Sequence, residues 1–180
     1  MKTILAIIGS ASESSSNRQL VEFLAASTKI EFNWIVFNEL KSLPHFDPEL
    51  SVNNTPQEIV AFRALIDQAD GVIICTPEYV FSIPSGLKNA IEWCVSTTIF
   101  SNKPCGLITA SAQGEKGHEE LQLLMKTLMA QFTDETALLI SGIKGKIQQD
   151  NINPQTRYEL ERFLTSFTSL LALSDNLGDF

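Results

Sequence analysis

The sequence predicts an α/β protein built on a five-stranded parallel sheet of order 2-1-3-4-5, with helices on both faces. Three observations predict it. Apolar runs of strand length alternate with helical spacings along the 180 residues, the pattern of stacked βα units. The run Gly71-Val72-Ile73-Ile74-Cys75 is apolar without alternation, as expected of a strand covered on both faces. The two loops richest in potential ligand groups follow the first and third runs, which flank the switch point of that order, where open sheets bind ligands outside their carboxyl ends.

The strands are expected at about 2–8, 31–37, 71–76, 104–110 and 137–141, with ends uncertain by ~2–4 residues. After the first, Arg18-Gln19-Leu20-Val21-Glu22-Phe23-Leu24 has helical apolar spacing. Residues 38–54 hold two prolines, one histidine and no period, so they read as a long connection within one domain that spans the chain. Thr55-Pro56-Gln57-Glu58 then offers a cap, a first-position proline and a reciprocal glutamate. It is followed by apolar Ile59, Phe62, Leu65 and Ile66, which predicts a helix to about Gln68. Pro84 is suited to open the helix after the third strand, because that position needs no amide donor. Leu87, Ala90, Ile91, Cys94 and Val95 form its apolar stripe, and Asn89 and Trp93 share another face. A large aromatic off the core face predicts an interface between copies. The helix after the fourth strand begins near His118. The last is opened by Asn153-Pro154 and buries Tyr158, Leu160, Phe163, Leu164, Phe167 and Leu171, with a loose tail from Ser174.

A chain of this length buries its own core without cross-links. The net charge of −8 argues against a nucleic-acid partner. Cys75, Cys94 and Cys105 fit no metal spacing and each lies in an apolar segment, so they read as buried thiols, with no metal site. The six residues between Lys2 and Gly9 are too few for a signal peptide, and no later run spans a bilayer; a cytoplasmic protein without a membrane partner is expected.

Three loops carry the candidate chemistry. Ser10 to Asn17 brings the hydroxyls of Ser10, Ser12, Ser14, Ser15 and Ser16 and the amide of Asn17 to a helix start, a set suited to a phosphate monoester. A serine-rich connection that merely caps the helix is the plainer alternative. Neither GxGxxG nor GxxxxGK[ST] is present. The turn Pro77-Glu78-Tyr79-Val80-Phe81-Ser82 places two aromatics where a planar heterocycle can lie against backbone groups. In the third loop, which includes Ser111, Gln113 and Gly114, the glycines allow close backbone approach. His118 is a tempting proton donor, but a surface or capping histidine is the commoner case. Glu78 reads equally as a structural carboxylate.

Pro77-Glu78-Tyr79, Ser82-Ile83-Pro84 and Gly86-Leu87-Lys88-Asn89-Ala90-Ile91-Glu92-Trp93, with Gly9-Ser10 and Ser15-x-Asn17, resemble the NADPH-dependent FMN reductases. These are flavodoxin-like enzymes that include quinone, azo and chromate reductases. The resemblance covers most of the chain. It implies FMN as cofactor, its phosphate held by Ser10, Ser15 and Asn17 and its ring by the backbone of Pro77 to Ser82, and NADPH or NADH as co-substrate. Hydride would pass through flavin N5 to a small acceptor by a ping-pong mechanism, with no obligatory acid or base residue. It also implies a homodimer or homotetramer, consistent with the Trp93 face. Two positions depart from the pattern. Ser12 stands where an arginine often meets the phosphate, a loss of roughly 1.5–3 kcal/mol unless Arg18 or other donors compensate, and Val80 stands where asparagine is usual. The rival readings are a flavodoxin-like electron carrier that is not an enzyme, and a binding protein that has lost flavin affinity.

Overall fold

The structure is a computed structural model that describes residues 1–12, 15–28, 32–148 and 151–175. Five strands, β1 (Thr3–Ile8), β2 (Asn33–Phe37), β3 (Gly71–Thr76), β4 (Cys105–Ser111) and β5 (Ala137–Ser141), form one parallel sheet of order β2-β1-β3-β4-β5. The flavodoxin-like order expected from sequence is therefore observed. The helices are α1 (Ser16–Ser27), α2 (Pro48–Val52), α3 (Gln57–Gln68), α4 (Ser85–Glu92), α5 (Glu115–Thr127), α6 (Ile143–Lys146) and α7 (Pro154–Asp175). A two-stranded pairing of 147–148 with 151–152 precedes α7.

Side chains alternate across the sheet, so each strand feeds two cores. Leu5, Ile7, Val72, Ile74 and Leu107 pack toward α3, α4 and α5, through Ile59, Phe62, Leu87, Ile91, Leu121 and Met125. Ile4, Ala6, Ile8, Ile73, Cys75, Ile108 and Ala110 pack toward α1 and α7, through Leu20, Leu24, Phe163 and Phe167. Every residue of β3 is buried, which explains its unbroken apolar run. The three cysteines are free and buried; burial pushes the Cys94 and Cys105 thiols up to about 12, so they are inert. No helix among the described residues is long and apolar enough to cross a membrane.

Several local expectations are corrected. Trp93 is fully buried rather than displayed. The connection 38–54 folds over α4, so that Trp93 Nε1 donates to the Pro44 carbonyl at 2.8 Å and the indole meets the Phe46 ring edge-on at 5.3 Å. Asn89 shares that face as expected, and it too is consumed: Oδ1 accepts from Phe46 N at 2.7 Å and Nδ2 donates to Pro44 O at 2.9 Å. The surface proposed for self-association is thus covered by the protein's own chain. Within the same connection, Leu40–Ser42 form a 3₁₀ turn and Asp47 caps α2 through Glu49 N and Leu50 N. Pro56, not Thr55, precedes the first residue of α3, because the Thr55 hydroxyl donates to Leu50 O. Val95 lies beyond the end of α4 and is exposed, as is Tyr158 on α7. Asn153 caps α7 as expected, accepting from Thr156 N at 2.8 Å. The helix runs on to Asp175, past the expected start of the tail at Ser174, and 176–180 lie outside the described residues.

Candidate functional site

The loops after β1, β3 and β4 meet at the carboxyl edge of the sheet. Strand register sets their heights: Ile8 pairs with Cys75, and Thr76 with Thr109. Gly9 draws the first two loops together, donating its amide to Cys75 O at 2.8 Å. A Cβ at Gly9 would stand 2.3 Å from Thr76 Oγ1, so no side chain fits there.

In the first loop, the Ser10 hydroxyl accepts from Ser12 N at 3.2 Å, and the Ser15 hydroxyl caps α1 by accepting from Arg18 N at 3.3 Å. Ser16 is the first helical residue, and no hydrogen bond among the described residues engages its amide or that of Asn17. These donors face the end of a helix whose dipole favours anions. Ser14 lies outside the described residues. Asn17 differs from expectation. Its side chain is buried, with Oδ1 accepting from the Cys75 thiol at 3.3 Å and Nδ2 reaching Ala110 O at 3.5 Å. It ties α1 to the ends of β3 and β4, leaving only its backbone amide for the loop.

The second loop is a tight turn. Tyr79 N donates to Ser82 O at 2.9 Å and Ser82 N to Tyr79 O at 3.1 Å, with Val80 and Phe81 both left-handed at φ 52° and 60°. Two left-handed central residues define the hairpin turn that normally takes Asn-Gly, and a β-branched residue there is strained. The turn nevertheless presents Tyr79, Val80 and Phe81 to solvent, Val80 at 93% exposure. The aromatics are therefore displayed rather than packed on the core.

Two carboxylates fasten this turn to α5. Glu78 turns away from the crevice and accepts from Gly114 N at 3.2 Å and Gly117 N at 2.8 Å, so it caps α5 from another loop. Gly114 holds φ 98°, a conformation that favours glycine, and a Cβ at Gly117 would press on Glu78 at 3.2 Å. Ser111 Oγ donates to Glu78 O at 3.3 Å, and Gln113 contributes its carbonyl to the Ser141 hydroxyl at 2.7 Å. Glu120 accepts from Ser82 Oγ at 2.6 Å, Ile83 N at 3.0 Å and Lys88 Nζ at 2.9 Å. Burial opposes its ionisation, but those bonds outweigh it and hold its carboxyl below the ordinary range. Lys88 is correspondingly raised, through its hydrogen bond to Glu120. Sequence reasoning missed Glu120. The available signal was its i, i+3 relation to Gly117, which places both on the face of α5 that meets the turn.

His118 is neither at the surface nor a cap. It is buried, with Nδ1 2.9 Å from Thr109 Oγ1, and burial lowers its pKa. It is a neutral core histidine directed at β4. Beside the crevice lies a cavity of about 520 Å³, walled by Ser10, Ser12, Arg18, Lys41, Tyr79 and Gly86 among others. The described residues hold no cluster fit for a metal. The arrangement offers a phosphate-type donor set, a planar slot edged by backbone groups, and no free carboxylate among the predicted site residues.

Comparison with known proteins agrees with that chemistry. Residues 2–142 match the sequence profile of the NADPH-dependent FMN reductases. An NADH:(hydroxy)cinnamate reductase subunit from Vibrio ruber is 36% identical over 126 residues, 69% of this chain and 61% of that protein, so the match spans under two thirds of its length. A quinone reductase from Escherichia coli is 28% identical over 156 residues, covering 85% of this chain and 82% of that one. The solved structure of a flavoenzyme NAD(P)H:(acceptor) oxidoreductase from Paracoccus denitrificans superposes with a TM-score of 0.74 at 20% identity, covering 97% of this chain and 99% of that one.

Proposed function

Because the chain belongs to the NADPH-dependent FMN reductase family, we propose that it transfers hydride from NADPH or NADH to a small planar acceptor, a quinone or a flavin, by a two-stage exchange at one site. The observation that carries this reading is the convergence of the β1, β3 and β4 loops around a crevice edged by backbone donors and two displayed aromatics. The residues fit FMN. Ser10, Ser12, Ser15 and the amides of Ser16 and Asn17 form a donor set for its phosphate. The backbone of Pro77 to Ser82, with Ser111, Gln113 and Gly114 opposite, would lie along the ring. When bound, FMN supplies a centre that accepts and returns hydride.

The protein binds and orients. Tyr79 and Phe81 would shield the ring edge from water and the backbone of the turn would lie against it, while Glu78 and Glu120 hold the turn against α5. Glu78 and His118 are both engaged elsewhere, so no proton is assigned to either. Donor and acceptor would use the same open face in turn, which is the basis for ping-pong kinetics. The relatives named for quinone and (hydroxy)cinnamate reduction support a small organic acceptor.

An anaerobic absorbance titration with FMN, then NADPH or NADH, then a quinone tests the reading. Prompt bleaching by nicotinamide and recovery on adding quinone are expected. Flavin binding without bleaching would make the protein an electron carrier, and failure to bind flavin would overturn the site.

A further inference from the structure

A second cavity, of about 510 Å³, lies between the last turn of α1 and the middle of α7. It is remote from the crevice, because α1 leaves the β1 loop at Ser16 and its twelve residues carry the chain about 18 Å along the helix axis. Its volume is that of a small-molecule pocket. The polar atoms of its wall are nearly all acceptors. Thr28 Oγ1 donates to Ala25 O at 2.9 Å, Thr165 Oγ1 to Glu161 O at 2.9 Å, Thr168 Oγ1 to Leu164 O at 2.8 Å and Ser169 Oγ to Thr165 O at 3.1 Å. Each of these hydroxyls has committed its one proton to a helix carbonyl, so it meets a ligand with lone pairs alone. Glu161 adds a carboxylate with no hydrogen-bond or ion-pair partner among the described residues, and no cation lines the cavity among them. Helix α1 ends at the same wall with no basic residue in its last turn, and the carboxyl end of a helix favours positive charge. Apolar surface comes from the buried Leu164 and the half-buried Phe32 ring.

We propose that this cavity binds a small aliphatic amine in its cationic form, with the ammonium on Glu161 and the threonine hydroxyls and the alkyl stem against Leu164 and Phe32. An ammonium carries three donors and no acceptor, which complements a wall of lone pairs and one carboxylate. The neighbouring aromatic ring adds attraction for the same charge. An anion of equal size would face that carboxylate and those lone pairs, and a neutral alcohol would lose the ionic contact. The site does not depend on the flavin reading, since none of its lining residues borders the cavity beside the crevice.

The test titrates the full chain, with FMN added, with butylammonium and in parallel with butanol and butyrate, which keep the short apolar stem without the positive charge. Binding is read from amide-resolved NMR spectra. Saturable shifts at Thr28, Phe32, Glu161 and Thr168 are expected with butylammonium, weaker ones with butanol and none with butyrate, while Ser10 and Tyr79 stay in place. Glu161→Gln should weaken butylammonium about fivefold and leave butanol unchanged, the loss expected for one exposed charge-assisted contact. Thr165→Val, which keeps the shape and removes an acceptor, should weaken it about twofold. Added salt should narrow the preference for the cation. Both residues are exposed, so neither substitution opens the core, and thermal unfolding of the variants checks this. Absence of saturable shifts at this wall, equal affinity for butylammonium and butanol, or unchanged affinity in Glu161→Gln would each overturn the site. A chain that fails to bind FMN and still shows these shifts would overturn the flavin reading and leave the amine site standing.

Discussion

Between Tyr79 and Ile83 the loop after β3 has its Tyr79, Ser82 and Ile83 amides engaged by the protein itself, whereas in the loop after β1 the amides of Ser16 and Asn17 have no hydrogen-bond partner among the described residues. One edge of the crevice is built before any ligand arrives. The strained left-handed pair Val80 and Phe81 survives because Glu120 binds Ser82 and Ile83, Glu78 binds Gly114 and Gly117, and α4 is covered by residues 44–46. Among the described residues the other edge is held by Gly9, the Ser10–Ser12 hydrogen bond, the Ser15 cap and the buried Asn17 side chain. A planar ring needs a fixed slot, and a phosphate needs exposed donors. Changes on the β3 side should therefore register mainly as stability, and changes on the β1 side mainly as ligand affinity.

The largest expected effect tests whether the β3 side is supported from within. Trp93→Ala removes a fully buried indole and its bond to Pro44. It should cost about 3–5 kcal/mol in denaturant unfolding and leave the mass of the native particle unchanged by light scattering; a stable variant with altered mass would restore the interface idea. Glu120→Gln should cost about 1.5–3 kcal/mol, since it weakens three hydrogen bonds to one carboxylate. It has a pH signature. The folded carboxyl lies below its ordinary 4.5, so its stabilisation is present above that pH and is lost as pH falls through the folded value. The wild type should lose stability there faster than Glu120→Gln, and parallel curves would show that the carboxylate charge is not what holds the turn.

Val80→Asn works in the opposite direction. Asparagine tolerates the left-handed conformation that valine resists, so a gain of about 1 kcal/mol in unfolding free energy is expected; a loss would mean that the exposed valine has a packing partner. Smallest in stability is Ser12→Ala on the β1 side. It should shift unfolding by less than about 0.5 kcal/mol while weakening FMN by about 1 kcal/mol, one hydrogen bond. Equal changes in stability and affinity would erase the contrast between the two edges.

The sheet order and the identity of the three loops were legible in the sequence, because a strand buried on both faces has to be apolar throughout and a helix start has to supply caps. Gly71 to Cys75 and the Asn153 cap are examples where the local signal and the structure coincide. Family membership was legible for a related reason. The turn from Pro77 to Pro84 and the start of α4 are constrained together by backbone geometry, which leaves a long fixed pattern of residue types.

Only the tertiary structure decided which polar groups remain available. Asn89 and Trp93 do share one face of α4, as their spacing requires, but spacing cannot say that a connection without periodicity, thirty or more residues earlier in the chain, would cover that face. Asn17, Glu78 and His118 likewise sit where the sequence puts them, and their side chains are spent on β3 and β4 partners, α5 and Thr109. Lys41 and Arg18 meet in one cavity although 22 residues separate them. Sequence periodicity fixes the direction of a side chain relative to its own element, while burial and hydrogen-bond partners depend on what another element brings to that face.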